Sequence, residues 1–154
     1  MSGGRSGQKA GVKGIRPATA GEWSDAHAAS ADATFFHGPV WSAVWESYTH
    51  GTFRASPLLV EFEDDATAVI GATTVPTRIP GLRRTLLSPA GNCGGWVSRD
   101  ALTPTHAAAL ADTITGNGPV LWRRHPQDTL ACGVAIPGSF EEFTQVVDLR
   151  DGAD

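Results

Sequence analysis

The spacing of apolar residues changes period several times along this chain, and each change marks an element. Val12 to Ala18 reads as a short first strand that stops near Pro17. Thr19 then offers an N-cap with Glu22 three residues on, the two halves of a capping box, which predicts a helix from about Ala20 to Ala31. Phe35 to Tyr48 carries the densest aromatic pattern. There a Gly38-Pro39 helix opener is followed by Trp41, Val44, Trp45 and Tyr48 at helical spacing, and a His50-Gly51 C-cap closes the helix. Aromatic stripes on amphipathic helices bury against a sheet, so Trp41 and Trp45 are expected in the core.

Beyond Gly51 the pattern turns β-branched and aromatic. Phe53 to Glu63 and Ala66 to Ile79 predict two antiparallel strands joined by the acidic turn Glu63-Asp64-Asp65, and Leu82 to Leu87 predicts a shorter strand after Pro80-Gly81. A glycine-rich stretch from Ser88 to Trp96 interrupts regular structure. Thr103-Pro104 opens a helix with Ala107, Leu110, Ala111 and Ile114 on its inner face, and Gly116-Asn117-Gly118 ends it. Pro119 to Arg124 predicts a buried strand, Gln127 to Cys132 a short helix or turn, and Phe143 to Leu149 a last strand. This order predicts an α/β fold with a central mixed, largely antiparallel sheet flanked by helices.

At 154 residues and 41% hydrophobic content, the chain is about one globular domain long. Its net charge of -4 conceals an asymmetry: Arg5, Lys9, Lys13 and Arg16 precede Glu22, leaving eight basic against sixteen acidic residues in the remainder. An acidic body argues against a DNA- or RNA-binding face, which needs basic residues to neutralise phosphate. Residues 1–14, rich in Gly, Ser, Gln and Lys, read as a flexible leader, with the domain over 15–154. No apolar run approaches the roughly 20 residues of a membrane span, and the N-terminus lacks a signal-peptide core, so a cytoplasmic location is expected. Cys93 and Cys132 lie far apart without a Cys-x-x-Cys, which indicates free thiols and neither a zinc site nor a disulfide framework.

Familiar catalytic patterns are missing: there is no Gly-x-Ser-x-Gly, no Gly-x-x-x-x-Gly-Lys and no His-Glu-x-x-His. His27, His37, His50, His106 and His125 are scattered without metal-ligand spacing, as surface or satisfied core histidines are. Glu63-Asp64-Asp65, at a hairpin tip, is expected to be fully solvated. The loop Pro89-Ala90-Gly91-Asn92-Cys93-Gly94-Gly95-Trp96 is the better candidate, because its glycines allow positive φ and close backbone approach to a ligand. Arg83, Arg84 and Arg99 flank it and can meet an anionic group.

Three stretches carry a family likeness: Phe35-Phe36-His37-Gly38-Pro39-Val40-Trp41-Ser42-Ala43-Val44-Trp45, the strand Ala68-Val69-Ile70-Gly71-Ala72, and Cys93-Gly94-Gly95-Trp96-Val97. With the closing Phe143 to Leu149, they resemble the N-terminal half of the Fem-like peptidoglycan aminoacyltransferases, each half of which is built on the Gcn5-related N-acetyltransferase (GNAT) fold. The family has a Gly-Gly-Pro in the glycine loop, where Trp96 stands here for the proline. It also has a basic residue one turn beyond the helix Trp, near the position of Trp45.

The resemblance implies a GNAT-like domain that is the acceptor-side half of a two-domain transferase moving an aminoacyl or acyl group onto an amine. The second half would then follow Asp154. It implies a small-molecule or peptidoglycan-precursor amine as acceptor, and aminoacyl-tRNA or acyl-coenzyme A as donor to the full protein. No cofactor is expected in this half, because no Arg/Gln-x-x-Gly-x-Gly leads into the helix at Thr103. Trp41, Asn92, Gly94, Gly95 and Trp96 are the residues expected to form the pocket, with no catalytic base among them. A free-standing acetyl-coenzyme A-dependent N-acetyltransferase and a non-catalytic binding domain are the other two classes the residues allow. If a partner half is missing, Trp96 and Val97 should stand exposed and drive self-association.

Overall fold

A computed structural model describes residues 10–116 and 118–140. Its elements run β1 (Val12–Pro17), α1 (Ala20–Ala29), a 3-10 turn at Phe35–His37, α2 (Pro39–Tyr48), β2 (Arg54–Ala55) and β3 (Leu58–Phe62). They continue with β4 (Thr67–Ile70), β5 (Thr73–Pro76), β6 (Arg83–Leu86), β7 (Trp96–Val97), α3 (Pro104–Thr115), β8 (Val120–Leu121) and α4 (Thr129–Gly133). The fold is α/β, but the single central sheet becomes two four-stranded sheets, ordered β1-β3-β4-β7 and β2-β5-β6-β8. The first is antiparallel throughout; the second has one parallel pair, β6 with β8.

Two predicted strands are divided at the same level, which is why there are two sheets. Phe53 to Glu63 breaks between β2 and β3 at Ser56-Pro57, where proline has no N–H for a ladder. Ala66 to Ile79 breaks between β4 and β5 at Gly71-Ala72. Gly71 passes so close under α1 that an added Cβ would lie 3.2 Å from Trp23 Cζ2 and 3.3 Å from the His37 carbonyl oxygen. Its N–H donates sideways to the Gly95 carbonyl at 3.0 Å. Period-two alternation then sorts the central residues onto two faces. Val60, Phe62, Ala68, Ile70 and Trp96 bury against Ala107, Leu110 and Ile114 of α3, while Leu59, Val69 and Val97 bury against Trp23 and Ala26 of α1.

Several boundaries move from their expected places. Ala10 N–H donates to the Thr105 carbonyl, and the Gly11 carbonyl accepts from Glu63 N–H at 3.0 Å, so residues 10–14 join the fold. Helix α1 stops at Ala29, and α2 stops at Tyr48 before a turn in which Gly51, at φ +76°, donates to the Glu46 carbonyl. Of the stretch from Pro119 to Arg124 only Val120–Leu121 forms a strand, and it is not the buried strand expected, since Leu121 is 47% exposed; the predicted strand Phe143 to Leu149 lies outside the described residues.

The largest correction concerns α2. Its fully buried side chain is Ser42, whose hydroxyl meets that of Thr73 at 3.3 Å. Trp41 and Trp45 are only half-buried, and Val44 and Tyr48 are 49% and 74% exposed. The stripe faces away from the sheet because α2 approaches β5 closely enough for a small residue alone to fit. The reverse correction applies to Trp96 and Val97, which are 7% and 1% exposed and belong to the two cores.

Candidate functional site

The glycine loop separates the expected site residues into two groups. Trp41 and Asn92 come together: Trp41 Nε1 donates to the Pro89 carbonyl at 3.3 Å, and Asn92 Nδ2 reaches the same oxygen at 3.4 Å. A turn with Ala90 at φ +60° and Gly91 at φ +71° presents that carbonyl to both. Gly94, Gly95 and Trp96 lie inside the protein instead. Gly94 N–H donates to the Arg123 carbonyl at 3.0 Å, and its carbonyl accepts from Trp122 Nε1 at 2.8 Å. Any Cβ on Gly94 would collide with the Leu87 carbonyl and approach Ser88 Cβ to 2.8 Å. Close approach is therefore the reason for this glycine, as the loop predicts, but the approaching group is the chain's own backbone. The indole of Trp96 packs on that of Trp122 with ring centroids 5.5 Å apart.

Beside the loop, the 3-10 turn and α2 build an aromatic face that includes Trp41 and Trp45, the two rings expected in the core. Phe35, Phe36 and Trp41 meet edge to face at 5.3–5.9 Å; Trp41 meets Trp45 at 5.8 Å; and Trp45 meets Tyr48 at 5.4 Å and stacks on Phe53 at 5.9 Å. Edge-to-face contact lets rings support one another without enclosure. Phe35 remains 55% exposed and Phe36 36%. The indole N–H of Trp45 is buried and has no hydrogen-bond partner.

Two histidines, His37 and His106, are the satisfied core residues expected and also complete capping boxes. Thr34-Phe35-Phe36-His37 and Thr103-Pro104-Thr105-His106 repeat the spacing of Thr19 and Glu22, with imidazole Nδ1 in place of a carboxylate. In each, threonine N–H donates to histidine Nδ1 at 3.1 Å, so the spacing Thr-x-x-His was the signal available in the sequence. His106 Nε2 also reaches Asp64 Oδ2 at 3.0 Å, which ties the β3–β4 hairpin tip to α3. Asp64 is thus paired at an exposed tip where full solvation was expected. Desolvation works against its charge, but the Ala66 N–H and the His106 ring hold its carboxyl below the usual range. Burial pushes His37 below the ordinary histidine value, aided by His125 and His27 and opposed by Asp128.

Among the described residues no group of His, Cys, Asp or Glu is placed to hold a metal ion, and Cys93 and Cys132 are not joined in a disulfide. Arg83 is turned onto Thr74, and Arg99 lines a shallow hollow with Asp25, Ala28 and Ala29, so neither converges on the loop. No helix among the described residues is long and apolar enough to cross a membrane. No family model, curated protein or solved structure matches this chain.

Proposed function

We propose that this chain is the acceptor-side half of a GNAT-fold transferase that moves an aminoacyl or acyl group onto an amine, with the amine held over the aromatic face of α2. The observation that carries this is the run of edge-to-face rings left at the surface beside the glycine loop, with Trp41 fixed by the Pro89 carbonyl. The negative faces of such rings attract an ammonium group, by about 0.5–1 kcal/mol at an exposed site. The order of elements, strand, two helices, three runs of antiparallel strand, helix and parallel strand, also supports the GNAT assignment. Transfer would then rest on positioning the amine against a donor bound elsewhere. A peptidoglycan precursor is the proposed acceptor because such precursors present a primary amine.

The experiment is a tryptophan-fluorescence titration of the chain with a lysine-containing peptide, its acetylated counterpart and acetyl-coenzyme A. Saturable binding of the amine alone, lost in Trp41→Ala, is the expected result. Acetyl-coenzyme A binding with turnover would replace this reading by a free-standing acetyltransferase. The exposed apolar residues of α2 favour a second class, a non-catalytic binding domain. Equal binding of the amine and its acetylated counterpart would support that class.

A further inference from the structure

The division of the strands leaves a cavity of about 170 Å³ between the second sheet and the C-terminal turn of α3, on the side of the sheet away from α2. Its chemistry is graded along three neighbouring strand runs whose same-face residues line it. One run lines it with Ser56 and Leu58, the next with Thr74, Ala72 and Ile70, and the third with Thr85 and Leu87; Arg83 stands just beyond Thr85 on the same face of β6. Hydroxyls therefore stand toward one end and aliphatic groups toward the other, where Ile114 of α3 closes the floor.

Two details show that the graded surface is fitted for a guest. The Ser56 hydroxyl on the wall is buried and has no hydrogen-bond partner, although a buried hydroxyl ordinarily finds one. Arg83 is turned over the strand edge, with its guanidinium 3.1 Å from the Thr74 carbonyl and 3.3 Å from the Thr74 hydroxyl at the cavity wall. Its further N–H groups can take a carboxylate in a fork. No acidic residue occurs in β2, β5, β6 or β8 to compete for Arg83; the Glu46 carboxylate is at the Ala55 N–H, beside Arg54. An apolar cavity of roughly 150 Å³ holds a benzene-sized group, so the volume suits about six carbons.

We infer that this cavity is a binding site for a short-chain aliphatic monocarboxylate, with the carboxylate on Arg83, an oxygen within reach of Ser56, and the alkyl chain on Leu58, Ile70 and Ile114. The site is independent of the amine face, which lies on the opposite side of the sheet, and either can be present without the other.

Heteronuclear NMR of the full chain titrated with sodium hexanoate, hexanol and hexylamine tests it. Hexanoate should shift the Thr74, Thr85 and Ile114 amides saturably, hexanol should bind about tenfold more weakly, and hexylamine should not bind. Arg83→Gln, a change at an exposed side chain, should weaken hexanoate about tenfold and leave hexanol unchanged. Thr85→Leu, which fills the cavity, should abolish both. The inference is overturned if hexanoate gives no saturable shifts, if hexylamine binds as well as hexanoate, or if Arg83→Gln leaves hexanoate affinity unaltered.

Discussion

Replacing Gly94 by alanine tests whether the glycine loop is shaped by internal packing. The added methyl would fall against the Leu87 carbonyl and within 2.8 Å of Ser88 Cβ, whereas carbon atoms settle at about 3.5–4.0 Å. What it meets is backbone, and that backbone is fixed by Leu87 N–H donating to the Leu121 carbonyl at 3.1 Å. Relief requires β7 and its approach to move off β6 by about 1 Å, given those contact distances. That movement stretches the bond from Gly94 N–H to Arg123, the bond from Trp122 to the Gly94 carbonyl, and the bond from Gly71 to Gly95. Overpacking alone costs about 1–3 kcal/mol, and each weakened buried hydrogen bond adds about 1 kcal/mol. We therefore expect Gly94→Ala to lose about 4–6 kcal/mol, a large part of the 5–15 kcal/mol typical of a domain. Gly95→Ala is the internal control, since its methyl would rest 3.5 Å from Trp122 Nε1 in ordinary contact. Urea denaturation followed by tryptophan fluorescence reads both. A Gly94→Ala loss below about 1 kcal/mol, under the overpacking range, or an equal loss in Gly95→Ala, would refute the packing account.

Trp96→Ser should destabilise the chain by about 3–5 kcal/mol, as removal of a buried aromatic does, without improving solubility. Tyr48→Ser and Phe35→Ser should leave thermal stability nearly unchanged and reduce any concentration-dependent light scattering, because these rings form the exposed apolar face. Thr103→Ala should cost about 1 kcal/mol by removing the α3 cap, read from the urea midpoint. His37 has a folded-state pKa below its unfolded value, so on acidification the unfolded chain takes up the proton first. Its contribution is complete above about pH 6.5, the unfolded value, and is lost as the pH falls from there toward the folded value. His37→Gln should flatten the urea midpoint over that interval, and an unchanged pH slope would refute the burial account. Glu22, lowered to about 2 by Arg16 and by Thr19 at the N-cap, acts in a separate window. Its contribution is present above the unfolded carboxylate value and lost as pH falls toward about 2; Glu22→Gln should remove it, most visibly at low salt.

The sequence by itself determined where the helices start. Thr19 with Glu22 starts α1, Gly38-Pro39 starts α2 and Thr103-Pro104 starts α3, because a cap or a first-turn proline acts through neighbours within four residues. The hairpin over Glu63-Asp64-Asp65 was legible for the same reason. Tertiary structure alone decided what each side chain faces. Nothing local distinguishes Trp41 and Trp45, left half-exposed, from Trp96, which is buried, since the outcome depends on how closely α2 can approach Thr73. The pairing of Asp64 with His106, the seat of Gly94 on the Leu87 carbonyl and the cavity beneath Ser56 each join residues distant in the chain. Such contacts are set by how two sheets splay at Pro57 and Gly71. Residue periodicity, which records only neighbours along the chain, carries no trace of that geometry.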